Sequence, residues 1–340
     1  MTLIRNTVLF ALSSIVAVAS AQADLDCPGL IPRPFSSIET RIDLGNGQII
    51  EAKNIDCKKV NVGAKVVLGI QQMLGRALPY PSSIHYRMVD KFDNAFFDPS
   101  DVSLNVPYQL VLDNYSKNPV YSPAVWAHEY GHSVLDAVLR SAAPQWRAII
   151  KRKLADDTGT PAQVLDLLIS SYHEFFADVI AVLYTQKPDA VARGLYMTGF
   201  MTNPEGSPSV CPNKSSEKCR PRNRTSDPRV IATSRDFADR HNQLGTWRGV
   251  DPSDDHDLLA PARFHIWKYY LSNPQIKHEE GKLAATTVDA IMADVNARIK
   301  RVMNLPGGIN RANLQREMGD VQRINREFID QIDATFKKAF

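Results

Sequence analysis

The segment WAHEYGH at residues 126–132 contains two histidines and a glutamate with the spacing HExxH. On a helix, His128 and His132 lie about one turn apart, so both imidazoles project from one face and can bind one metal ion. Glu129 lies about 100° further round the helix, where it can reach a water molecule on that metal. This pattern predicts a zinc site in which Glu129 acts as the general base.

Catalytic zinc takes three protein ligands and leaves a fourth position open, so a third ligand is required. The segment YHEFFAD at residues 172–178 places Glu174 and Asp178 four residues apart, on one face of a predicted helix. A solvated acidic face is the alternative, but the neighbouring residues are apolar: Phe175, Phe176, Ala177, Val179, Ile180 and Val182. We therefore expect Glu174 to bind zinc and Asp178 to accept the second ring N–H of a ligating histidine.

Two long helices must position these side chains. Apolar residues at helical spacing predict them over residues 123–139 and 161–184, and each has proline at its first position. Ser122 can cap the first. The same spacing predicts further helices over residues 62–78, 145–154 and 188–196, and three more that begin near residues 262, 287 and 310.

The segment from residue 83 to residue 106 changes to the alternating pattern of strands. It predicts short strands over residues 84–89, 95–97 and 102–106, whereas residues 24–60 indicate a loop-rich segment. The pattern therefore predicts an α+β protein with a small mixed N-terminal lobe at residues 24–122. A mainly helical lobe at residues 123–340 would carry the zinc site.

The two motifs together resemble the gluzincin, or thermolysin-like, metallopeptidases, in which HExxH is followed by a glutamate on a second helix and an aspartate four residues later. The segment Asn94-Ala95-Phe96 is similar to the Asn-Ala-aromatic edge strand that pairs with extended peptide substrate in that family. The resemblance covers residues 94–178. It implies a zincin-like fold, with the edge strand beside the active-site helix and with Asn94, Ala95 and Phe96 binding substrate.

The resemblance also implies a downstream histidine that stabilises the oxyanion. The candidates are His241, His256 and His265. We favour His256, because it precedes a predicted helix and has several aspartates nearby. His173 departs from the family, since thermolysin has asparagine there, and this leaves the partner of His132 open. The metzincin pattern is not met, because Leu135 and Val138 replace its glycine and third histidine.

The N-terminus has the features of a secretory signal peptide. Arg5 precedes an apolar run at residues 9–19, and Ala21-Gln22-Ala23 is a suitable cleavage site. The run is shorter than the roughly 20 apolar residues that span a bilayer, so a membrane anchor is the weaker interpretation. We expect residues 1–23 to be removed and the product to be exported to the periplasm or secreted, with no stable membrane insertion.

Four cysteines remain after the predicted cleavage: Cys27, Cys57, Cys211 and Cys219. An even number in an exported protein predicts two disulfides. Proximity favours Cys27 with Cys57 and Cys211 with Cys219, although three pairings are possible. A cysteine zinc site is less favoured, because the sequence contains no CxxC pair.

The sequence as a whole predicts an exported zinc-dependent endopeptidase that acts on peptides or proteins. The formal net charge is only +3, so composition does not favour a nucleic-acid partner. Two alternatives remain open, namely a catalytically inactive zinc-containing peptide-binding protein and a zinc amidase acting on cell-wall peptides. A purely structural zinc site would not need Glu129, which argues against the first. The oligomeric state and the subsite preference are left open.

Overall fold

The computed structural model describes residues 39–43, 49–53, 57–81, 83–90, 95–109, 122–142, 161–192, 200–202, 208–210, 233–247, 255–308 and 310–340. All of them belong to one compact unit, Arg33–Phe340. They form a mixed α+β fold in which helices predominate, in agreement with the predicted class. The predicted signal peptide, the predicted helix at residues 145–154, and Cys27, Cys211 and Cys219 lie outside the described residues.

A five-stranded sheet forms the first part of the described structure. Its strands are β1 (Glu39–Asp43), β2 (Ile49–Lys53), β3 (Ser83–Asp90), β4 (Phe96–Asp98) and β5 (Ser103–Gln109). They are arranged in the order β1-β2-β3-β5-β4. The pairs β2–β3 and β3–β5 are parallel, whereas β1–β2 and β4–β5 are antiparallel. Among the strands that the structure describes, β4 stands last in this order, which makes it an edge strand of that sheet.

The three strands predicted between residues 84 and 106 correspond to β3, β4 and β5. The prediction of a loop-rich segment over residues 24–60 was wrong for β1 and β2, which pair with Ile42 opposite Ile50. The Asn46-Gly47 dipeptide between them is a hairpin signal that could have revealed both strands. A second antiparallel pair consists of β6 (Phe200–Thr202) and β7 (Pro208–Val210).

The predicted metal-binding residues lie on two helices, α2 (Pro123–Ala142) and α3 (Pro161–Thr185), and α1 (Cys57–Leu74) packs against both. The Val125 backbone N–H donates to the Ser122 hydroxyl at 3.4 Å, so Ser122 caps α2 as predicted. At their crossing, α2 and α3 approach so closely that a Cβ atom on Gly131 would lie 2.7 Å from the Ala177 Cα atom. A residue without a side chain permits this approach.

The C-terminal part is helical, as predicted. It contains α4 (Ala260–Ile266), a π-helical turn (Trp267–Leu271), α5 (Glu280–Met303), α6 (Arg311–Met318) and α7 (Val321–Ala339). Asp320 caps α7 by accepting a hydrogen bond from the Arg323 backbone N–H. The Phe328 ring of α7 packs edge-on against Tyr172 and Phe175 of α3, which holds α3 from the side of the C-terminal helices.

None of the helices within the described residues has both the length and the apolar character that crossing a bilayer would require.

Candidate metal centre

Three predicted ligands converge where α2 crosses α3. The two Nε2 atoms of His128 and His132 lie 3.0 Å apart. The His128 Nε2 atom lies 3.3 Å from one carboxylate oxygen of Glu174, and the His132 Nε2 atom lies 3.4 Å from the other. All three side chains are largely shielded from solvent. Helix α2 provides the imidazoles and α3 provides the carboxylate.

These spacings fit a metal ion. Nitrogen and oxygen ligands about 2.0–2.2 Å from a tetrahedral metal lie roughly 3.3 Å from one another, which is close to the three separations observed here. Two ring nitrogens facing each other beside a carboxylate are also well placed to share one cation. Within the described residues, His128, His132 and Glu174 therefore form a group that could hold a metal ion.

Glu129 follows the first ligand on α2 and is buried beside the group. Burial raises the pKa of its carboxyl group above the ordinary value, although electrostatic interactions with His128 and His132 oppose this change. A carboxylate with a raised pKa is a stronger base than an exposed one, which suits a group that must accept a proton.

Asp178 lies one helical turn beyond Glu174, as its spacing predicted. Its Oδ1 atom is 2.9 Å from the Nδ1 atom of His128, so the second nitrogen of that imidazole faces a carboxylate. Such a contact orients the ring so that Nε2 faces the other candidate ligands, and Nε2 can bind a metal once it has lost its proton. Asp178 is completely buried, and a carboxylate in that position requires compensating positive charge.

Two buried arginines supply that charge. The Arg235 Nη2 atom lies 2.6 Å from Asp178 and 3.0 Å from Glu174, and the Arg263 Nε atom lies 2.7 Å from Asp178. Burial by itself would raise the pKa of Asp178, but Arg235 and Arg263 outweigh it and hold the pKa well below its ordinary value. Burial is likewise outweighed at Glu174, whose pKa is lowered by His256, His132 and Arg235.

The sequence did not indicate either arginine. Arg235 lies 57 residues and Arg263 lies 85 residues beyond Asp178 along the chain. A buried aspartate on an apolar helix does indicate that positive partners exist. Nothing in the local pattern distinguishes these two residues from the others among the 40 lysines and arginines.

Of the three histidines considered for the oxyanion, the structure places His256 beside the metal-binding group. Its Nε2 atom lies 3.5 Å from Glu174, and its Nδ1 atom lies 2.8 Å from Asp255. His241 is exposed and pairs with Asp239. His265 pairs with Asp333 of α7.

His173 precedes the carboxylate ligand and is half-buried. The centroid of its ring lies 5.8 Å from that of His132, with the two ring planes tilted by 30°. Burial, together with the neighbouring His132, lowers the pKa of His173 to about 3, so the ring is neutral near pH 7. It therefore packs beside His132 as an uncharged neighbour.

The predicted substrate segment lies partly within the described structure. Asn94 is outside the described residues, Ala95 is buried, and Phe96 is half-buried at the start of the edge strand β4. Strand β4 contacts α2, which carries both histidines. Next to β4, the Pro99 carbonyl accepts a hydrogen bond from Arg140 in the last turn of α2. The edge strand and the metal-binding helix are therefore directly connected.

No family model matches this chain, and neither the curated proteins nor the solved structures contain a significant match.

Proposed function

We propose that this chain is an exported, zinc-dependent endopeptidase with His128, His132 and Glu174 as metal ligands and Glu129 as general base. The observation that carries the proposal is the convergence of three ligand atoms with a buried glutamate next to one of them. Export follows from the sequence of residues 1–23. The gluzincin resemblance and a zincin-like fold are part of the same proposal.

Zinc suits this donor set better than the other common divalent ions. Two imidazoles and one carboxylate, with a fourth position left open, are the ligands of a typical catalytic zinc site. Magnesium and calcium prefer oxygen ligands, and both usually take six or more. When bound, zinc would supply Lewis acidity that lowers the pKa of water from 15.7 towards about 7 and polarises a carbonyl group.

The other roles in the proposed reaction belong to residues of the chain. Glu129 accepts a proton from the attacking water and passes it to the departing amine. Asp178 keeps the His128 imidazole in one orientation, with Arg235 and Arg263 balancing its charge. With Asp255 facing its Nδ1 atom, His256 would donate a hydrogen bond from Nε2 to the oxygen of the scissile carbonyl when the ring carries both protons.

The edge strand favours an extended peptide as substrate. The outer side of β4 faces no other strand within the described residues. The resemblance to the gluzincins implies that an edge strand at this place binds extended peptide substrate by strand addition. Since β4 contacts α2, a peptide bound there would lie near Glu129 and the metal ligands.

Metal analysis combined with digestion of a peptide library tests the proposal. We expect about one zinc ion per chain and hydrolysis that a chelator abolishes and added zinc restores. The variant E129Q should retain zinc but lose about 10²- to 10⁴-fold in turnover, because it cannot accept the proton. The matched control E280Q, on α5, should behave as the wild type.

The outcomes separate the alternatives. Bound zinc without chelator-sensitive hydrolysis of any peptide would favour an inactive peptide-binding protein. Cleavage of crosslinked peptidoglycan fragments, but not of casein, would favour a cell-wall amidase. Wild-type turnover by E129Q would show that Glu129 is not the base.

A further inference from the structure

Arg263 connects two parts of the centre that are distant in sequence. Its Nε atom donates to Asp178 Oδ2 at 2.7 Å, and its Nη1 atom donates to the backbone carbonyl of His256 at 2.8 Å. The side chain is completely buried. One guanidinium group thus joins the carboxylate behind His128 to the backbone of the residue beside Glu174.

Neutralising Asp178 does not by itself require Arg263. Arg235 already donates to both carboxylate oxygens of Asp178, from Nε and from Nη2. Arg263 differs from Arg235 in that it also donates a hydrogen bond to the His256 carbonyl. A second buried arginine has a substantial desolvation cost, so this additional bond gives it a separate role.

The segment that carries His256 is held from more than one side. The Asn325 side chain of α7 donates to the Leu258 carbonyl at 2.8 Å. On the other side, Asp255 Oδ1 lies 2.8 Å from the His256 imidazole. With the backbone held by Arg263 and Asn325, and the ring held by Asp255, the imidazole of His256 has a restricted orientation towards Glu174.

We infer that Arg263 is a positioning residue that sets the distance between His256 and the metal-binding group. It acts through His256 and Asp178 and touches no substrate, because it has no exposed surface. Arginine is required because its Nε and Nη1 donors lie on separate nitrogens of one rigid plane and reach both acceptors, whereas the three donors of lysine share one nitrogen. The expected effect of Arg263 on catalysis rests on the proposed function, whereas its expected effect on the position of His256 does not.

The variant R263K tests this inference, with R301K as its control. Arg301 also bridges two carboxylates, those of Glu317 and Glu327, in a different ionic cluster. The direct readout is the ¹H–¹⁵N spectrum of histidine-labelled protein, with the His256 signals assigned by their loss in H256Q. We expect R263K to shift the His256 signals and R301K to leave them unchanged.

Kinetics provide the second readout. A displaced His256 should lower kcat on the order of 10- to 100-fold in R263K, with little change in KM. Because Arg263 acts through His256, R263K/H256A should be no slower than H256A alone. R301K should leave kcat at the wild-type value. If the losses in kcat caused by R263K and by H256A multiplied in the double variant, the inference would be overturned.

The spectra also separate this inference from the proposed function. If the wild type hydrolyses no peptide, the peptidase proposal fails, while shifted His256 signals in R263K still support the positioning role. Unshifted signals would overturn that role whatever the activity. If R263K does not fold, D178N is compared with R263Q/D178N. In that pair the loss of Arg263 leaves no buried carboxylate unpaired at residue 178, because the residue is already an amide. Identical His256 signals in that pair would also overturn the inference.

Discussion

At the scale of single residues, two of the three metal-ligand candidates have a neighbour outside the group that restricts their orientation. Asp178 faces the Nδ1 atom of His128, so the Nε2 atom of that ring points towards the other ligands. One oxygen of Glu174 contacts Arg235, whereas the other faces His132. These contacts hold the donor atoms near metal-binding spacing before a metal arrives, which reduces the conformational entropy lost on binding.

Replacement of a ligand should remove the metal. We expect H132A and E174A to fall from about one zinc ion per chain to nearly none, because two remaining protein ligands hold zinc weakly. Equilibrium dialysis followed by metal analysis measures this change. The control H265A removes a histidine that pairs with Asp333, and it should bind zinc normally. Unchanged zinc content in H132A would show that the metal binds elsewhere.

At the scale of helices and strands, the approach of α2 to α3 sets the spacing of the ligands. Gly131 stands between the two histidines, at a position that HExxH leaves free. Any side chain there would meet the Ala177 backbone, which cannot move without moving α3. The glycine is therefore needed for helix packing, and through that packing for the distance from the imidazoles to Glu174.

The variant G131A should push the two helices apart. We expect a loss of about 1–3 kcal/mol in stability from overpacking, together with weaker zinc binding. Thermal unfolding and competition with a chromophoric chelator measure the two effects. The control G69A also introduces a close contact, but with the ring of Tyr184, which can move aside. If G131A bound zinc as tightly as G69A, packing at this crossing would not set the ligand spacing.

Arg140 makes a second connection between elements that is relevant to function. It pairs with Asp136 within α2 and also donates to the Pro99 carbonyl beside β4. R140K should keep the ion pair and lose the second hydrogen bond. We expect the KM for extended peptides to rise by about 2- to 10-fold, with kcat and zinc content unchanged.

Steady-state kinetics with a peptide series measure this change in KM. R301K is a matched control, because Arg301 is a similarly exposed arginine within another ion-pair cluster. If R140K and the wild type had equal KM values, the edge strand would have no role in substrate binding.

At the scale of the whole molecule, the candidate centre depends on contacts among several elements. Helices α2 and α3 provide the ligands, and the aromatic contacts of Phe328 hold α3 against α7. A buried cluster around Arg298 connects α5, α6 and α7. A metal bound between α2 and α3 would act as an additional crosslink in this structure.

Removal of the metal should therefore lower thermal stability. Zinc at about 1,000 times its Kd contributes about 4 kcal/mol to the folded state, which corresponds to several degrees in Tm. Calorimetry with and without a chelator measures the difference. The same chelator should leave the Tm of H132A unchanged, because that variant has little zinc to lose. If the chelator lowered the Tm of both the wild type and H132A, loss of zinc from this site would not be the cause.

By itself, the sequence determined the features that depend on short spacing. Residues four apart on a helix share a face, so HExxH placed His128 and His132 together, and the same rule placed Asp178 beside Glu174. The helices α2 and α3 and the strands β3, β4 and β5 followed from apolar periodicity. These features could be predicted because backbone geometry links neighbouring residues directly.

Only the tertiary structure decided which distant residues meet at the centre. Arg235 and Arg263 reach Asp178, although the sequence singled out neither of them. Their positions depend on how the helices pack, including the crossing that Gly131 permits. The spacing of these residues in the sequence contains no such information, because packing brings together side chains that are far apart along the chain.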